Sequence, residues 1–172
     1  LSSEQHAELV GAMVKTLASG QGTSRQRLGL SEALGRLGDP RLRTPSDADY
    51  WCHLNRPYEG VAVGRYPVTN HEYLTWVERG GYEDASGWTE EGRAWLNDCD
   101  TPWHVLAERD DAKAFVVPNQ PVVGVTWFEA SAYARSNGAR LLRTDERVWV
   151  TRGEARRPYP WGSPFGEGNA NT

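Results

Sequence analysis

The spacing of apolar positions divides the chain into two regimes. Residues 5–18, QHAELVGAMVKTLA, place Leu9, Met13, Val14 and Leu17 at helical intervals. The polar stretch SGQGTS interrupts this pattern, and Thr23 or Ser24 can cap a second helix. That helix carries Leu30, Leu34 and Leu37 along one side and ends at GDP. The two helices form a hairpin over residues 1–45, too small to stand alone, which must lean on the remainder of the chain. TPSDAD opens a linker that runs over residues 46–60.

From Val61 the texture changes to short apolar runs, each leading into a capped helix. In VAVGRYPVTNHEYLTWVERGGY a strand-like start leads to Thr69 and Glu72, spaced as an S/T-x-x-E capping box. The helix presents Tyr73, Trp76 and Val77, and Gly80-Gly81 stops it. The device returns in PVVGVTWFEASAYARSNGARL, residues 121–141. Pro121 to Val125 has the β-branched composition of a buried strand, and Thr126 with Glu129 forms the box. Ala130, Tyr133 and Ala134 continue the helical face, and Asn137-Gly138 ends it. Between the two units, GWTEEGRAWL reads as a short helix capped by Thr89, and the rest of residues 82–120 reads as irregular. Beyond residue 153, Pro, Gly and Asn predict a structured loop.

Composition narrows the class. The 172 residues carry a formal net charge of −4, with Lys and Arg outnumbered and scattered, so no basic nucleic-acid footprint is present. No apolar run approaches the roughly 20 residues that span a bilayer, and no signal-peptide core opens the sequence. These features predict a soluble, cytoplasmic protein. Cys52 and Cys99 make neither a CxxC motif nor a disulfide framework, which agrees with a reducing compartment. Eight Trp is a high count, and many sit beside Gly or Pro. Such rings read as filling for a loop-rich core rather than as a stacking platform, because no repeat orders them.

Candidate chemistry is sparse. A reactive thiolate needs a cationic or helix-N-terminal setting. Cys99 lies between acidic neighbours Asp98 and Asp100, and Cys52 has only a sequence neighbour in His53. His6, His53, His71 and His104 show no H-x₃-H or HExxH spacing. EEGR and ERDD read as solvated charge runs, and no carboxylate pair is set up for acid–base work. GEGNANT lacks the Lys-Ser/Thr of a phosphate loop. No catalytic residue is assigned.

Four segments together, GRYPVTNHEYLTWVERGGY, GWTEEGRAWL, VPNQPVVGVTWFEASAYARSNGARL and YPWG continuing to NANT, resemble the formylglycine-generating, sulfatase-modifying-factor family over about Val61 to Thr172. The resemblance implies an α+β, loop-rich, C-type-lectin-like fold, here its N-terminal portion over residues 61–172, preceded by the helical hairpin. SEALGRLGDPRL is similar to the lead-in of bacterial members. The family usually continues past the RL pair as P-T-E-A-E-W-E, whereas LRTDERV keeps only Glu146, with Arg143 at the capping Thr and Arg147 at a core Trp. Thr144 then offers a cap one residue later.

The same resemblance places the family's copper-binding cysteine pair beyond Thr172. It maps a structural calcium to Asn171 and the backbone of Thr172. These would be two ligands of a partial site, since calcium takes six to eight oxygens. It also implies that the first strand, Val61 to Arg65, pairs with a strand from the end of the domain, leaving an edge and an apolar face open here. The residues leave three readings open. The chain is a non-catalytic protein- or ligand-binding module completed by a second fragment or by self-association. Alternatively it is the N-terminal part of a metal-dependent oxidase of the family, or a protein cut by an associated protease.

Overall fold

A computed structural model describes residues 1–166. Helix α1, Ser3–Ala18, starts at Ser2, whose hydroxyl accepts from the Gln5 N–H while the Gln5 side chain accepts from the Ser2 N–H. Helix α2, Ser24–Leu37, repeats this box with Thr23 and Gln26, so Thr23 rather than Ser24 is the cap. The hairpin closes over Val10, Met13 and Leu34. Leu9, expected on that face, is exposed. Val10, Met13, Val14 and Leu17 already complete an i, i+3, i+4, i+7 stripe, and Leu9 lies about 100° off it.

The stretch with linker composition contains a strand. Strand β1, Trp51–His53, pairs antiparallel with β2, Ala62–Gly64, with Trp51 opposite Gly64 and His53 opposite Ala62. Asn55, Pro57 and Gly60 mimic a linker because they build the turn, held by Tyr58 N–H to the Asn55 carbonyl and Val61 N–H to the Tyr58 carbonyl. Among the described residues β2 therefore pairs with a preceding strand. Among the described residues no third strand joins this sheet.

Helix α3, Asn70–Glu78, and helix α6, Trp127–Ser136, begin at Thr69 and Thr126 with both halves of the expected boxes formed. Helix α4, Glu90–Asp98, is capped by Thr89, as expected. Helix α5, Trp103–Ala107, and 3₁₀ turns at Ala85–Gly87 and Asp110–Ala112 order a stretch that lacks periodicity. Pro121–Val125 is not a strand. It forms a single bridge, Thr69 with Pro121, and one bond from Val122 N–H to the Val68 carbonyl, before Gly124 turns away at φ +79°. A positive φ breaks an extended run, and only glycine adopts it without strain. Helix α7, Thr144–Arg152, has Arg143 as its N-cap, so Thr144 is its first residue and not its cap.

The main core gathers Tyr73, Trp76, Tyr82, Trp88, Trp103 and Tyr133 around Ala132. The result is a helix-rich α+β body with one small sheet. Among the described residues no helix is long and apolar enough to cross a membrane.

Candidate functional site

Three buried glutamates organise the molecule. A capping-box glutamate spends one oxygen on its own helix start and leaves the other for a distant partner. Glu129 Oε2 accepts from the Thr126 N–H and hydroxyl at 2.7 and 2.8 Å. Its Oε1 accepts from the Tyr82 hydroxyl and the Trp103 N–H, each at 2.7 Å, tying α6 to the 82–103 loop and α5. Glu72 Oε2 accepts from the Thr69 N–H and hydroxyl, each at 2.8 Å, and its Oε1 faces the Tyr133 hydroxyl at 3.4 Å. Glu146 accepts two bonds from the Arg140 guanidinium at 2.7 Å and one from the Arg143 N–H at 2.8 Å. With each of their oxygens accepting at least one bond, these groups hold elements together.

The electrostatics obey the same pattern. Arg140 first, and then the Arg143 N–H, lower the Glu146 pKa from 4.5 to about 2. Burial, with the neighbouring Tyr73 and Glu129, pushes the Tyr82 hydroxyl well above the usual phenol range. Burial likewise raises Tyr73 and Tyr133. These phenols stay protonated; Tyr82 and Tyr133 face Glu129 and Glu72, while the Tyr73 hydroxyl pairs with that of Tyr82.

Two recesses border this frame. A groove of about 560 Å³ lies between the β1–β2 hairpin, α6 and α7, lined by Tyr66, Val68, Val122, Leu141, Leu142 and Val150 among others. Its lining is mainly apolar and it is open, with Tyr66, Leu142 and Val150 exposed alongside Arg65, Arg140 and Arg147. A cleft of about 480 Å³ separates the helical hairpin from β2 and α3, with Arg41, Arg43, Arg65, Asp39 and Asp49 around it. Its cations are matched locally. Arg41 grips Asp39, Arg43 pairs with Asp49, and Arg65 Nε donates to the Asp49 carbonyl. The groove can hold an apolar surface; the cleft is a self-neutralised joint.

The residues singled out in the sequence do not converge. Cys52, in β1, and Cys99, closing α4, are free thiols. Alternation along β1 sends Cys52 and His53 to opposite faces. His6 lies on α1 and His71 is exposed at the start of α3. His104, on α5, sets its ring 4.2 Å from that of Tyr82, with a buried Nδ1 that has no partner among the described residues. Among those residues no three His, Cys, Asp or Glu side chains meet as a metal site. Asn171 and Thr172 lie outside the described residues.

Sequence reasoning missed Tyr82, Asn70 and Asn119. Asn70 donates to the carbonyls of Phe115 and Val117, and Asn119 donates to the Ser31 carbonyl and Asp39, so the 115–121 strap joins α3 to the hairpin. The only local signal for Tyr82 is the second oxygen of Glu129, which a buried capping box must satisfy somewhere.

Comparison with known proteins decides the family. The profile of the sulfatase-modifying factor enzyme 1-like domain matches residues 42–172. The chain belongs to this family. Its relatives include the hercynine oxygenase of Mycolicibacterium thermoresistibile, 35% identical over 134 residues, covering 68% of this chain and 30% of the relative. The hercynine oxygenase of Mycobacterium tuberculosis is 36% identical over 135 residues, covering 67% and 32%. The formylglycine-generating enzyme of Streptomyces coelicolor is 46% identical over 52 residues, covering 30% of this chain and 17% of the relative. The chain thus spans just under a third of the hercynine oxygenases it matches. No solved structure matches it. In this sulfatase-modifying-factor chain the matched span begins ahead of β1, so the segment with linker composition falls within the family domain.

Proposed function

We propose that this chain is the framing and docking part of a sulfatase-modifying-factor protein of the oxygenase or oxidase kind. It supplies one wall and the rigid support, while the reactive groups come from residues outside it. The observation that carries this reading is the open, mainly apolar groove between β2, α6 and α7, whose rim exposes Tyr66, Leu142 and Val150 beside a sheet edge unpaired among the described residues. Exposed apolar surface next to a free strand edge is unfavourable in isolation and favourable when a further strand and apolar side chains cover it. A C-type-lectin-like arrangement fills it with a later segment of the domain, in the same polypeptide or a second one. The oxygenase direction is supported by relatives named hercynine oxygenase that match over two thirds of the chain.

The diverged 142–148 segment favours a second reading, a binding module without oxidase activity. Arg143 and Arg147 there replace the capping and core residues that the family resemblance implies. One pair of measurements separates the readings. The protein from its natural source is sized by native mass spectrometry and assayed for oxygen uptake with hercynine. A further polypeptide segment on the groove together with hercynine-dependent uptake supports the oxygenase frame. A covered groove without uptake supports the binding module. A monomer of this chain alone that binds no apolar fluorescent dye, and is indifferent to Val150→Glu, removes both.

A further inference from the structure

The core is built from a particular kind of ring. Of its seven buried members, six are Tyr or Trp, and none is Phe, Leu or Ile. Phe would fill similar space without burying a hydroxyl or an indole N–H that then needs a partner, so packing alone does not call for these types. The rings run in near contact. Centroids are 4.8 Å apart from Trp103 to Tyr73, 5.1 Å from Tyr73 to Trp76 and 5.2 Å from Trp76 to Tyr82. They are 6.4 Å apart from Trp76 to Trp88 and again from Trp88 to Trp95, where the rings stack. Trp95, on α4, is half-buried, so the series connects the centre of the body to its surface.

Proton acceptors are placed unevenly along it. The Tyr82 hydroxyl donates to the buried Glu129 carboxylate at 2.7 Å, an acceptor ready to take its proton. The Trp76 indole N–H has no acceptor among the described residues. An oxidised Trp76 would therefore keep its proton and remain a strong oxidant of its neighbours, whereas an oxidised Tyr82 would shed its proton and hold the vacancy.

We infer that these Tyr and Trp rings form a path for one-electron oxidising equivalents between the core and the α4 surface, with Tyr82 as the resting point. The oxidant is a strong one-electron acceptor of the class that dioxygen chemistry generates; in nature this rests on the oxygenase reading, but its test does not. The oxidant takes one electron from a Trp of the series, and that Trp is refilled by an electron from Tyr82. The Tyr82 O–H bond breaks, its proton forms a bond to Glu129 Oε1, and a neutral tyrosyl radical remains. A thiol or ascorbate-type reductant returns the electron through Trp95, and Glu129 returns the proton.

The test uses the whole chain with its exposed rings Tyr66, Trp127, Tyr159 and Trp161 changed to Phe. Flash-generated tris(bipyridine)ruthenium(III) serves as the oxidant. Electron paramagnetic resonance is expected to show a tyrosyl radical that is lost in Tyr82→Phe, forms more slowly in Trp95→Phe and forms more slowly in D₂O. An undiminished radical in a folded Tyr82→Phe variant overturns the path. Should near-ultraviolet circular dichroism show that variant unfolded, Trp95→Phe decides, and an unchanged rate of formation overturns it. Oxygen uptake with hercynine is read separately, so a failed oxygenase reading leaves this result standing.

Discussion

A single methyl group has opposite effects at two glycines of the same helix. Gly29 and Gly35 both lie in α2. Replacing a helical Gly by Ala favours the helix by about 1 kcal/mol where there is room. A Cβ at Gly29 meets nothing within 4 Å, so Gly29→Ala should raise stability by close to that amount. At Gly35 the same atom would collide with Asn119 Oδ1 and lie 2.9 Å from Val117 Cγ1. Asn119 has little freedom to yield, because its amide already bridges the Ser31 carbonyl and Asp39 at 2.9 and 3.0 Å. Overpacking of this kind costs about 1–3 kcal/mol, more than the helix gains. Urea unfolding should therefore shift the midpoint up for Gly29→Ala and down for Gly35→Ala. A rise in both would mean that the hairpin does not dock on the 115–121 strap. Neither glycine is distinguishable in the sequence, since the neighbours of Gly35 come from Val117 and Asn119, far along the chain.

Helix starts were the legible elements, because a cap is a contact between residues three apart and needs nothing from the rest of the chain. Thr23, Thr69, Thr89 and Thr126 all cap in the structure. The β1 strand and α5 were not legible. The first is three residues long beside a turn, and the second is one short turn of helix fixed by Trp103 N–H to Glu129, a contact 26 residues distant. Helix α7 is the exception that yields a prediction. Its N-cap is Arg143, whose side chain has no acceptor for an amide, so only the Glu146 half of the box is made. Arg143→Ser keeps the extended backbone, φ −69° and ψ 159°, and adds the missing acceptor. Of the contacts it removes, each 3.3 Å long, the exposed one to Asp145 is worth little, and buried Glu146 keeps its two shorter bonds from Arg140. A cap contributes about 0.5–2 kcal/mol, so the variant should be more stable by about 1 kcal/mol in thermal or urea unfolding. A less stable variant would show that Arg143 matters more to Glu146 than its hydrogen bonds suggest.

At the scale of the whole molecule, two ionised carboxylates hold distant joints, and acid should loosen both. Asp39 fastens the hairpin to the body through Arg41 and Asn119, and Glu146 fastens α7 to the 140–143 segment. Burial acts to raise the Asp39 pKa, but bonds from Arg41 and Asn119 outweigh it and bring it from 3.8 to about 2. Glu146 falls from 4.5 to about 2 under Arg140 and the Arg143 N–H. A carboxyl whose folded pKa lies below its unfolded value stabilises the fold fully above the unfolded value. That contribution fades as pH falls toward the folded one. The window is therefore from about pH 4.5 down to about pH 2, and the folded state should lose stability continuously across it. Asp39→Asn and Glu146→Gln should each flatten part of the pH dependence of the urea midpoint while lowering stability at neutral pH. Hydrogen exchange should then open the hairpin first in Asp39→Asn and α7 first in Glu146→Gln. The sequence flagged Glu146 through the family pattern and held no hint of Asp39, which gains its role only when Asn119 arrives from across the fold. Equal opening of hairpin and α7 in both variants would mean that the joints are one cooperative unit, and the frame would then have to be regarded as a single latch.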